Sequence, residues 1–401
     1  MSERFLFRHF FDVLALGGAL AEWTLACWLL GVPRHAALHV AAPLFLAMLN
    51  RAAARPLERE PATGPFAGTP GRVVLAAAFG ALACCAVLGV LATGWGAVRL
   101  LGALTAEAGV ASLAVREPLF GPEFQWLASL ALAAVIGLVA DGYVRGHRRI
   151  TVTRIALPVA GLPPAFAGMR IVHVSDFHLG PLADRVALRE AIDRVSALDP
   201  DVICVTGDVI DTPAADLTGW IPELTRIRAR EGVFAILGNH DRRAGAERVA
   251  AAIRAGTTWR VLRDDVATIR RGDARLHVAG LEDRPEPHEA DGLSALLERV
   301  PRGDRVILLA HRPSVFPTAV AAGVPAVLAG HTHGGQLAVP GLRHLNVARL
   351  LHGPFDTGTF RRHRSVLHVN RGLGTSGQRI RIGAPREISV VTLVAAATTP
   401  R

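Results

Sequence analysis

The first part of the chain is dominated by long apolar stretches. Residues 10–32, 34–50, 73–95 and 125–144 are almost continuously apolar, with few acidic interruptions. A helix needs about 20 apolar residues to cross the hydrocarbon core of a bilayer. The pattern therefore predicts an all-α membrane module over residues 1–150, with four transmembrane helices. Because the second stretch is the shortest, three spans are the alternative.

Beyond residue 150 the pattern changes to short apolar runs, helical spacing, and turns rich in glycine and aspartate. Short, fully apolar runs are typical of strands buried on both faces of a sheet. Apolar residues at helical spacing occupy 182–198 and 244–255, between such runs. Alternating strands and helices predict a layered α/β domain over residues 151–401. The predicted strands are 170–175, 201–206, 233–237, 277–279, 306–310 and 325–329.

Composition agrees with a mixed chain and excludes several chemistries. The 401 residues are 51% apolar and 19% charged, and the mean hydropathy is +0.33. The net charge is +10, and every basic side chain is arginine. Without lysine, Schiff-base enzymes and Walker A phosphate loops are excluded. The charge is spread thinly along the chain, so no nucleic-acid partner is predicted.

Arginines flanking the apolar stretches predict the orientation of the membrane module. With four spans, nine arginines fall on one side of the membrane and three on the other. Basic residues near span ends favour the cytoplasmic side. We therefore expect a multi-pass protein of the cell inner (cytoplasmic) membrane, with the α/β domain in the cytoplasm. With three spans this orientation would reverse.

Polar side chains collect where the predicted strands end. Five strands are each followed by aspartate, asparagine or histidine, and ligands bind at the carboxyl edge of α/β sheets. Carboxylate, amide and imidazole groups suit Zn, Mn, Fe or Mg. One such residue would carry little weight, but the set at five strand ends exceeds what chance placement gives. The predicted metal ligands are Asp176, His178, Asp208, Asn239, His311, His331 and His333.

Most other histidines of this half have no such position. A single histidine is more often a surface or capping residue than a metal ligand, and short matches carry false positives. We therefore assign no site to His173, His277, His288, His344, His352, His363 and His368.

The order of the strand-end residues resembles the signature of the calcineurin-like metallophosphoesterase superfamily. The glycine-rich tail at 372–377, followed by Arg381 and Glu387, is similar to the bacterial membrane-associated YkuE/YaeI-like branch. The resemblance covers roughly residues 168–392. It implies a four-layer αββα sandwich, with two β-sheets face to face and helices outside. The matching blocks are Asp-x-His at 176–178, Gly-Asp at 207–208, Gly-Asn-His-Asp at 238–241, His311 and Gly-His-x-His at 330–333.

The resemblance also implies a dinuclear centre with two divalent metal ions (Mn, Fe, Zn or Mg). Two cations held about 3.5–4 Å apart are well served by a shared carboxylate. The implied arrangement has one ion on Asp176, His178 and His333, a second on Asn239, His311 and His331, and Asp208 bridging both.

The predicted catalytic residues are His240, Asp241 and Asn239. His240 is next to a ligand but has no metal of its own, so we expect it to donate a proton to the leaving group, or to stabilise that group, with Asp241 orienting it. Asn239 is expected to contact the phosphate too, and Arg381 of the tail motif to contact the substrate. Six further tail arginines fit anionic phosphates, or are ordinary solvated side chains: Arg361, Arg362, Arg364, Arg371, Arg379 and Arg386.

The predicted function is hydrolysis of a phosphodiester or pyrophosphate bond by a metal-bridging hydroxide. The predicted partners are an anionic phosphoester substrate and the membrane bilayer. The membrane module favours a lipid-linked substrate, and the resembling branch implies one like UDP-diacylglucosamine or a phospholipid. The alternatives are a tethered phosphodiesterase for soluble substrates such as cyclic nucleotides, and a non-catalytic membrane scaffold. A scaffold has no need of seven metal ligands.

Overall fold

A computed structural model of the chain divides it into two compact units, residues 1–141 and 142–401. The division falls shortly before the boundary predicted at residue 150. The structure describes residues 12, 16, 17, 19, 20, 22, 23, 36–58, 69–107, 122–180, 183–212, 216–284, 288–377 and 379–396.

The described part of the first unit is helical. Helix α1 spans Ala36–Glu58, α2 spans Thr69–Glu107, and α3 spans Pro122–Val144, with its last turn in the second unit. Helix α1 packs against α2. The buried Asn50 of α1 donates a hydrogen bond from Nδ2 to Oε2 of Glu22 over 3.1 Å. This acidic side chain of the first apolar stretch therefore has a helix partner.

The described residues contain one helix that is long and apolar enough to cross a membrane. It is Pro122–Arg148, which comprises α3 and the turn after it, and it contains the predicted span 125–144. Within α2, the apolar part Ala83–Val98 is shorter than a span. Helix α1 continues past the stretch 34–50 into polar and basic residues. The predicted span 10–32 lies largely outside the described residues, so a module of four spans is not confirmed.

The second unit is built from mixed β-sheets and helices, which confirms the prediction of an α/β domain. Its helices are α4 (Arg185–Ala197), α5 (Ile221–Leu224), α6 (Asn239–Arg243), α7 (Ala246–Gly256), α8 (His288–Glu298), α9 (Phe316–Ala321) and α10 (Val347–His352). Its strands are β1 (Ile150–Val159), β2 (Arg170–Val174), β3 (Val202–Thr206), β4 (Val233–Ile236), β5 (Arg260–Val261), β6 (Asp265–Arg271), β7 (Ala274–Gly280), β8 (Arg305–Leu309), β9 (Ala326–Ala329), β10 (Ala338–Val339), β11 (Leu342–Asn346), β12 (Gly358–Arg362), β13 (Ser365–Val369) and β14 (Arg386–Ala395).

The strands form two six-stranded sheets and one small hairpin. The first sheet has the order β1-β14-β2-β3-β4-β5 and the second β12-β13-β9-β8-β7-β6, while β10 pairs with β11. Strands β2 to β5 run parallel, and so do β7, β8, β9 and β13. Strand β14 is antiparallel to β2 but parallel to β1 over ten residue pairs. Parallel strands end at one edge, so the residues that follow them come together there.

Three apolar clusters define the layers of this unit. The first lies between the two sheets and includes Cys204 of β3 and Ile307 of β8. The second covers the outer face of the first sheet and includes Ile192 of α4. The third covers the outer face of the second sheet and includes Leu293 of α8. Helices therefore lie outside two sheets that face each other.

Helix α4 illustrates how the sequence fixes these layers. Asp184 precedes the helix, and its Oδ1 accepts hydrogen bonds from the backbone N–H groups of Val186 and Ala187 at 3.1 and 3.2 Å. Such a cap satisfies donors that the first turn cannot satisfy itself. Leu188, Ile192 and Val195, at helical spacing, are buried against the sheet.

Removing side-chain volume between the sheets should cost much stability. Ile307 is fully buried there, so Ile307→Ala should lower the free energy of unfolding by about 2–5 kcal/mol through lost burial and a residual cavity. Val186→Ala is the matched control, because Val186 is 70% exposed; we expect a change within about 0.5 kcal/mol. Urea unfolding of the full chain in detergent measures both. Equal losses would contradict the layer assignment.

Candidate metal centre

All seven predicted ligands follow strands at the carboxyl edges of the two sheets. Those after β2, β3 and β4 come from the first sheet, and those after β8 and β9 come from the second. The ligands are Asp176, His178, Asp208, Asn239, His311, His331 and His333. Six of them are buried, and His331 is half-buried. Two facing sheets thus deliver polar groups to one edge.

Asp176, His178 and His333 form a first cluster. His178 Nε2 lies 3.0 Å from His333 Nε2 and 3.9 Å from Asp176 Oδ1. His333 Nε2 lies 3.5 Å from the same carboxylate oxygen. One ligand atom from each residue lies within 4.8 Å of the other two. The cluster offers two imidazole nitrogens and a carboxylate oxygen to a single point.

Asp208, His311 and His331 form a second cluster, with Asn239 beside it. His311 Nε2 lies 3.3 Å from Asp208 Oδ2, 3.2 Å from His331 Nδ1 and 3.0 Å from Asn239 Oδ1. Asp208 Oδ2 also lies 3.6 Å from Nε2 of His178, a member of the first cluster. The Asp208 carboxylate therefore stands between the two clusters.

Hydrogen bonds around the centre determine which ring nitrogen of His178 and of His311 faces inward. His178 Nδ1 lies 3.0 Å from Asp211 Oδ1, and His311 Nδ1 lies 2.8 Å from the Thr206 carbonyl oxygen. A ring nitrogen meets such oxygens as a donor, so the opposite Nε2 of each neutral ring is an acceptor.

The Asn239 amide adds an oxygen to the second cluster. With Oδ1 inward it faces His311 Nε2; turned over, the amide would donate to His311 and His331 instead. Only the inward oxygen completes a cation site. Neighbouring acceptors repel each other unless a cation lies between them, so this donor set fits divalent metal ions.

The electrostatics of the centre favour positive charge. Burial alone would lower the pKa of His311, but the Asp208 carboxylate and other acids outweigh burial and raise the pKa to about 10. Burial alone would raise the pKa of Asp208, but His311 and His240 hold it well below its usual value. The environment therefore keeps Asp208 ionised, which a bridging ligand requires.

Five of the proposed ligands have left-handed backbone conformations. The φ angles are 51° at Asp176, 47° at His178, 52° at Asp208, 71° at His331 and 53° at His333. A residue with a Cβ atom rarely adopts this conformation, and the strain is of order 1–3 kcal/mol each. Strain of this kind clusters at functional sites. The loops turn sharply enough to aim neighbouring side chains at one point.

Two glycines permit the close approach of these loops. A Cβ atom at Gly238 would overlap the Asp208 carboxylate, and a Cβ atom at Gly330 would overlap Ser175 and Asp176. Glycine is therefore required immediately before Asn239 and His331.

His240 lies in the first turn of the short helix α6, beside both clusters. Its backbone N–H donates to Asp208 Oδ1 at 2.8 Å, and its ring lies edge-on to His178 with 4.6 Å between centroids. One ring nitrogen lies within 4.8 Å of ligand atoms of His178 and Asp208. Burial lowers the pKa of His240, although Asp208 opposes this shift. The ring is placed to act on a group bound at the clusters.

Asp211 is a site residue that our sequence reasoning missed. Its backbone carbonyl accepts a hydrogen bond from His240 Nδ1, and its carboxylate contacts His178 Nδ1. One residue therefore orients two imidazole rings. The available signal was its position in the Gly-Asp-x-x-Asp sequence that starts at Gly207.

Asp241, which we expected to orient His240, has other contacts. Its carboxylate accepts backbone hydrogen bonds from Val209 at 3.1 Å, Ile210 at 3.0 Å and Gly238 at 2.9 Å. Asp241 therefore holds the loop after β3 against the start of α6. Asp211 is the residue that contacts and orients the His240 ring.

Arg381, predicted as a substrate contact, lies inside the protein. Its side chain is 2% exposed, and its N–H groups are directed to the carbonyl oxygens of Arg371, Gly374 and Ala384 and toward His333. A guanidinium used in this way has no donor to spare for a substrate phosphate. It supports the loop that carries His333.

The arginine-rich tail does not form one cationic surface. Arg371 and Arg386 are also buried, with hydrogen bonds to the carbonyl oxygens of Pro385, and of Leu373 and Ala187, respectively. Neither interpretation made from the sequence, phosphate binding or solvation, describes these two residues. Arg361, Arg362 and Arg364 are exposed.

Arg312 is a second missed residue at the centre. It directly follows His311, and its Nη1 lies 3.4 Å from His331 Nε2. Its Nε donates to Oδ1 of the buried Asp283 at 2.8 Å. The only sequence signal was its adjacency to His311. The pair places a cation beside the second cluster.

Three histidines interpreted as surface or capping residues are buried. His173 contacts the Thr206 hydroxyl at 2.9 Å, and His368 contacts the Ser389 hydroxyl at 2.8 Å. Their rings meet edge-on, with 5.6 Å between centroids. His277 is buried too, and contacts Asp304 at 2.8 Å. That interpretation was wrong for these three, because a residue considered singly does not reveal hydrogen-bond partners on other segments of the chain.

Known proteins resemble this chain in the region that carries the metal centre. The family described as calcineurin-like phosphoesterase matches residues 169–335. A Bacillus subtilis (strain 168) protein named uncharacterized metallophosphoesterase YkuE is 30% identical over 284 residues, which is 67% of this chain and 94% of that protein. The family match includes every proposed ligand.

Two vertebrate relatives are each named transmembrane protein with metallophosphoesterase domain. The Bos taurus protein is 29% identical over 67% of this chain and 62% of its own length, so the chain spans less than two thirds of that relative. The Danio rerio protein is 29% identical over 75% of this chain and 69% of its own length. Together with the YkuE similarity, these matches show that the chain belongs to the calcineurin-like metallophosphoesterase family.

Proposed function

We propose that the chain is a membrane-anchored, metal-dependent phosphoesterase that hydrolyses a phosphodiester or pyrophosphate bond in a lipid-linked substrate. The observation that carries the proposal is the convergence of acceptor atoms at the sheet edges, at separations of 3.0–3.9 Å. Acceptor atoms at these separations repel each other unless a cation lies between them. Family membership favours a phosphoester as the substrate class.

The two clusters would hold two divalent metal ions. Asp208 would serve both, since it stands between the clusters. When bound, two such ions supply Lewis acidity, which lowers the pKa of a water and offsets charge on phosphoryl oxygens. The remaining ligands divide into Asp176, His178 and His333 for one ion and Asn239, His311 and His331 for the other.

The residues around the clusters would do the remaining work. His240, held by Asp211, would donate a proton to the leaving oxygen or stabilise its negative charge. Arg312, held by Asp283, would orient a phosphoryl oxygen by a charge-assisted hydrogen bond. No serine, cysteine or tyrosine nucleophile is required, so hydrolysis would be direct.

We also propose the multi-pass inner-membrane placement, with the second unit in the cytoplasm. Support comes from the apolar helix Pro122–Arg148, from two relatives named as transmembrane proteins, and from the arginine asymmetry around the apolar stretches. An anchored enzyme meets lipid-linked esters at high local concentration. A tethered enzyme for soluble substrates such as cyclic nucleotides is the alternative.

Substrate class is tested with purified protein and added Mn²⁺. The panel is an aryl phosphodiester, an aryl phosphomonoester, a cyclic nucleotide and UDP-diacylglucosamine. We expect turnover of the aryl phosphodiester and of the lipid-linked pyrophosphate. Asp208→Ala should lose bound metal and nearly all activity, because both ions would depend on that carboxylate. Turnover of the cyclic nucleotide alone would reject a lipid-linked substrate. Bound metal without any turnover would favour the scaffold.

His240→Ala should separate metal binding from catalysis. We expect unchanged metal content by mass spectrometry, and a loss in kcat of about 100-fold or more for a poor leaving group. The loss should be much smaller for a good leaving group, which departs without a proton. His363→Ala, in the exposed turn after β12, is the control and should be unaffected. Equal losses for both leaving groups would refute proton donation.

Orientation is tested with a reporter fused to the C-terminus. We expect cytoplasmic behaviour, because the majority of flanking arginines then lie in the cytoplasm. External protease should leave the tail intact in spheroplasts and remove it after the inner membrane is permeabilised. Cleavage in intact spheroplasts would indicate an odd number of spans.

A further inference from the structure

One short segment of the second unit carries most of its exposed large apolar side chains. Among the described residues after Val144, seven such side chains are exposed, and six lie between Val339 and Leu351. We name residues 339–351 the apolar excursion. Its exposed members are Val339 (46%), Leu342 (47%), Leu345 (51%), Val347 (42%), Leu350 (84%) and Leu351 (67%). Scattered exposed apolar residues are ordinary, but a concentration of six within thirteen residues indicates an interaction surface.

Helix α10 holds three of these apolar side chains in the excursion on one exposed face. Helix α10 begins after Asn346, whose side chain accepts a hydrogen bond from the Arg349 N–H at 2.8 Å. Residues 347, 350 and 351 share one helical face, since they are three or four positions apart. That face is exposed, whereas Ala348 on the other side is buried. The helix therefore turns its apolar side outward.

The excursion is joined to the end of the candidate membrane span. The Ala338 N–H donates to the Ile382 carbonyl oxygen at 2.8 Å, and the Arg381 N–H donates to the carbonyl oxygen of Gly142 at 3.3 Å. Gly142 lies in the last turn of α3, within the second unit. Residues 381 and 382 are thus the one segment that lies between Ala338, which directly precedes the excursion, and that helix end. A bilayer crossed by this helix would begin close to the excursion.

Basic side chains accompany the apolar ones. Arg349, within the excursion, is half-exposed and contacts the buried Asp356 at 3.5 Å. Arg362, the last residue of β12, lies over the ring of Phe355 at 5.0 Å, and Phe355 precedes Asp356 in the chain. Arg361 of the same strand and Arg364 of the turn that follows are exposed as well. Apolar side chains bordered by arginine suit the boundary between acyl chains and anionic headgroups.

We propose that the apolar excursion inserts into the interfacial region of an anionic phospholipid bilayer and holds the metal centre at the membrane surface. His352, which ends α10, places its ring 4.9 Å from that of His331, so the inserted segment directly adjoins the second cluster. The inference rests on the proposed membrane anchoring and deepens the proposed function, because a lipid-linked phosphoester could reach the centre without leaving the bilayer. It does not depend on hydrolytic activity.

Depth-dependent fluorescence in the full chain tests the proposal. Leu350→Cys and Leu351→Cys are each labelled with an environment-sensitive fluorophore, in a background where the four native cysteines are alanine. Arg302→Cys is the matched control, since Arg302 is exposed and precedes β8, at the opposite end of that strand from His311. The protein is reconstituted into phosphatidylcholine vesicles with and without phosphatidylglycerol, and quenching by spin-labelled lipids is measured.

We expect quenching at positions 350 and 351 to exceed that at 302 by at least about twofold, and to increase with phosphatidylglycerol. Equal quenching at all three positions would overturn the proposal. Disulfide cross-linking between unlabelled Leu350→Cys chains in place of quenching would identify a second copy as the occupant, and would overturn it too. Quenching without turnover would retain this inference and reject the proposed function. Turnover without quenching would reject this inference and retain the proposed function.

Discussion

Mutual repulsion between electron pairs is the constraint on which the centre depends. Imidazole nitrogens, carboxylate oxygens and an amide oxygen approach each other to 3.0–3.9 Å in a buried place. A buried environment does not stabilise such an arrangement. Protonation relieves the repulsion only in part, and the raised pKa of His311 shows that this ring takes up a proton readily. Divalent cations would satisfy it fully. The strained loops and the two obligatory glycines are consequences of bringing these atoms together.

Support for the crowded side chains comes from a layer of residues around them. Asp211 holds two histidines, Asp283 holds Arg312, and Arg381 holds the loop that carries His333. Asp211, Asp283 and Arg381 are buried and hydrogen-bonded, so each limits the motion of the group that it contacts. Preorganised polar groups of this kind are worth more in a protein interior than in water. Precision at the centre therefore depends on residues that need not touch a substrate.

The sequence predicted those features best that a local pattern determines. Short apolar runs predicted buried strands, and the predicted strand 233–237 corresponds to β4 at Val233–Ile236. Residues directly after strands were brought together because parallel strands share an edge. Contacts between distant segments were not predictable. The edge-on contact of His173 with His368, the burial of Arg381 among carbonyl oxygens and the double contact of Asp211 all depend on tertiary packing. Apolar length likewise predicted one span that the described residues contain, but did not show where helices continue into polar sequence.

The pairing of β1 with β14 has a consequence for how the protein is made. Strand β1 directly follows the helix Pro122–Arg148, yet its partner in the sheet is the strand Arg386–Ala395, over ten residue pairs. During synthesis the apolar helix leaves the ribosome long before that partner exists. The first sheet cannot close until β14 has emerged, because β14 lies between β1 and β2. Insertion into the bilayer would thus precede completion of the sheet, and the growing domain would fold while already tethered at its first strand.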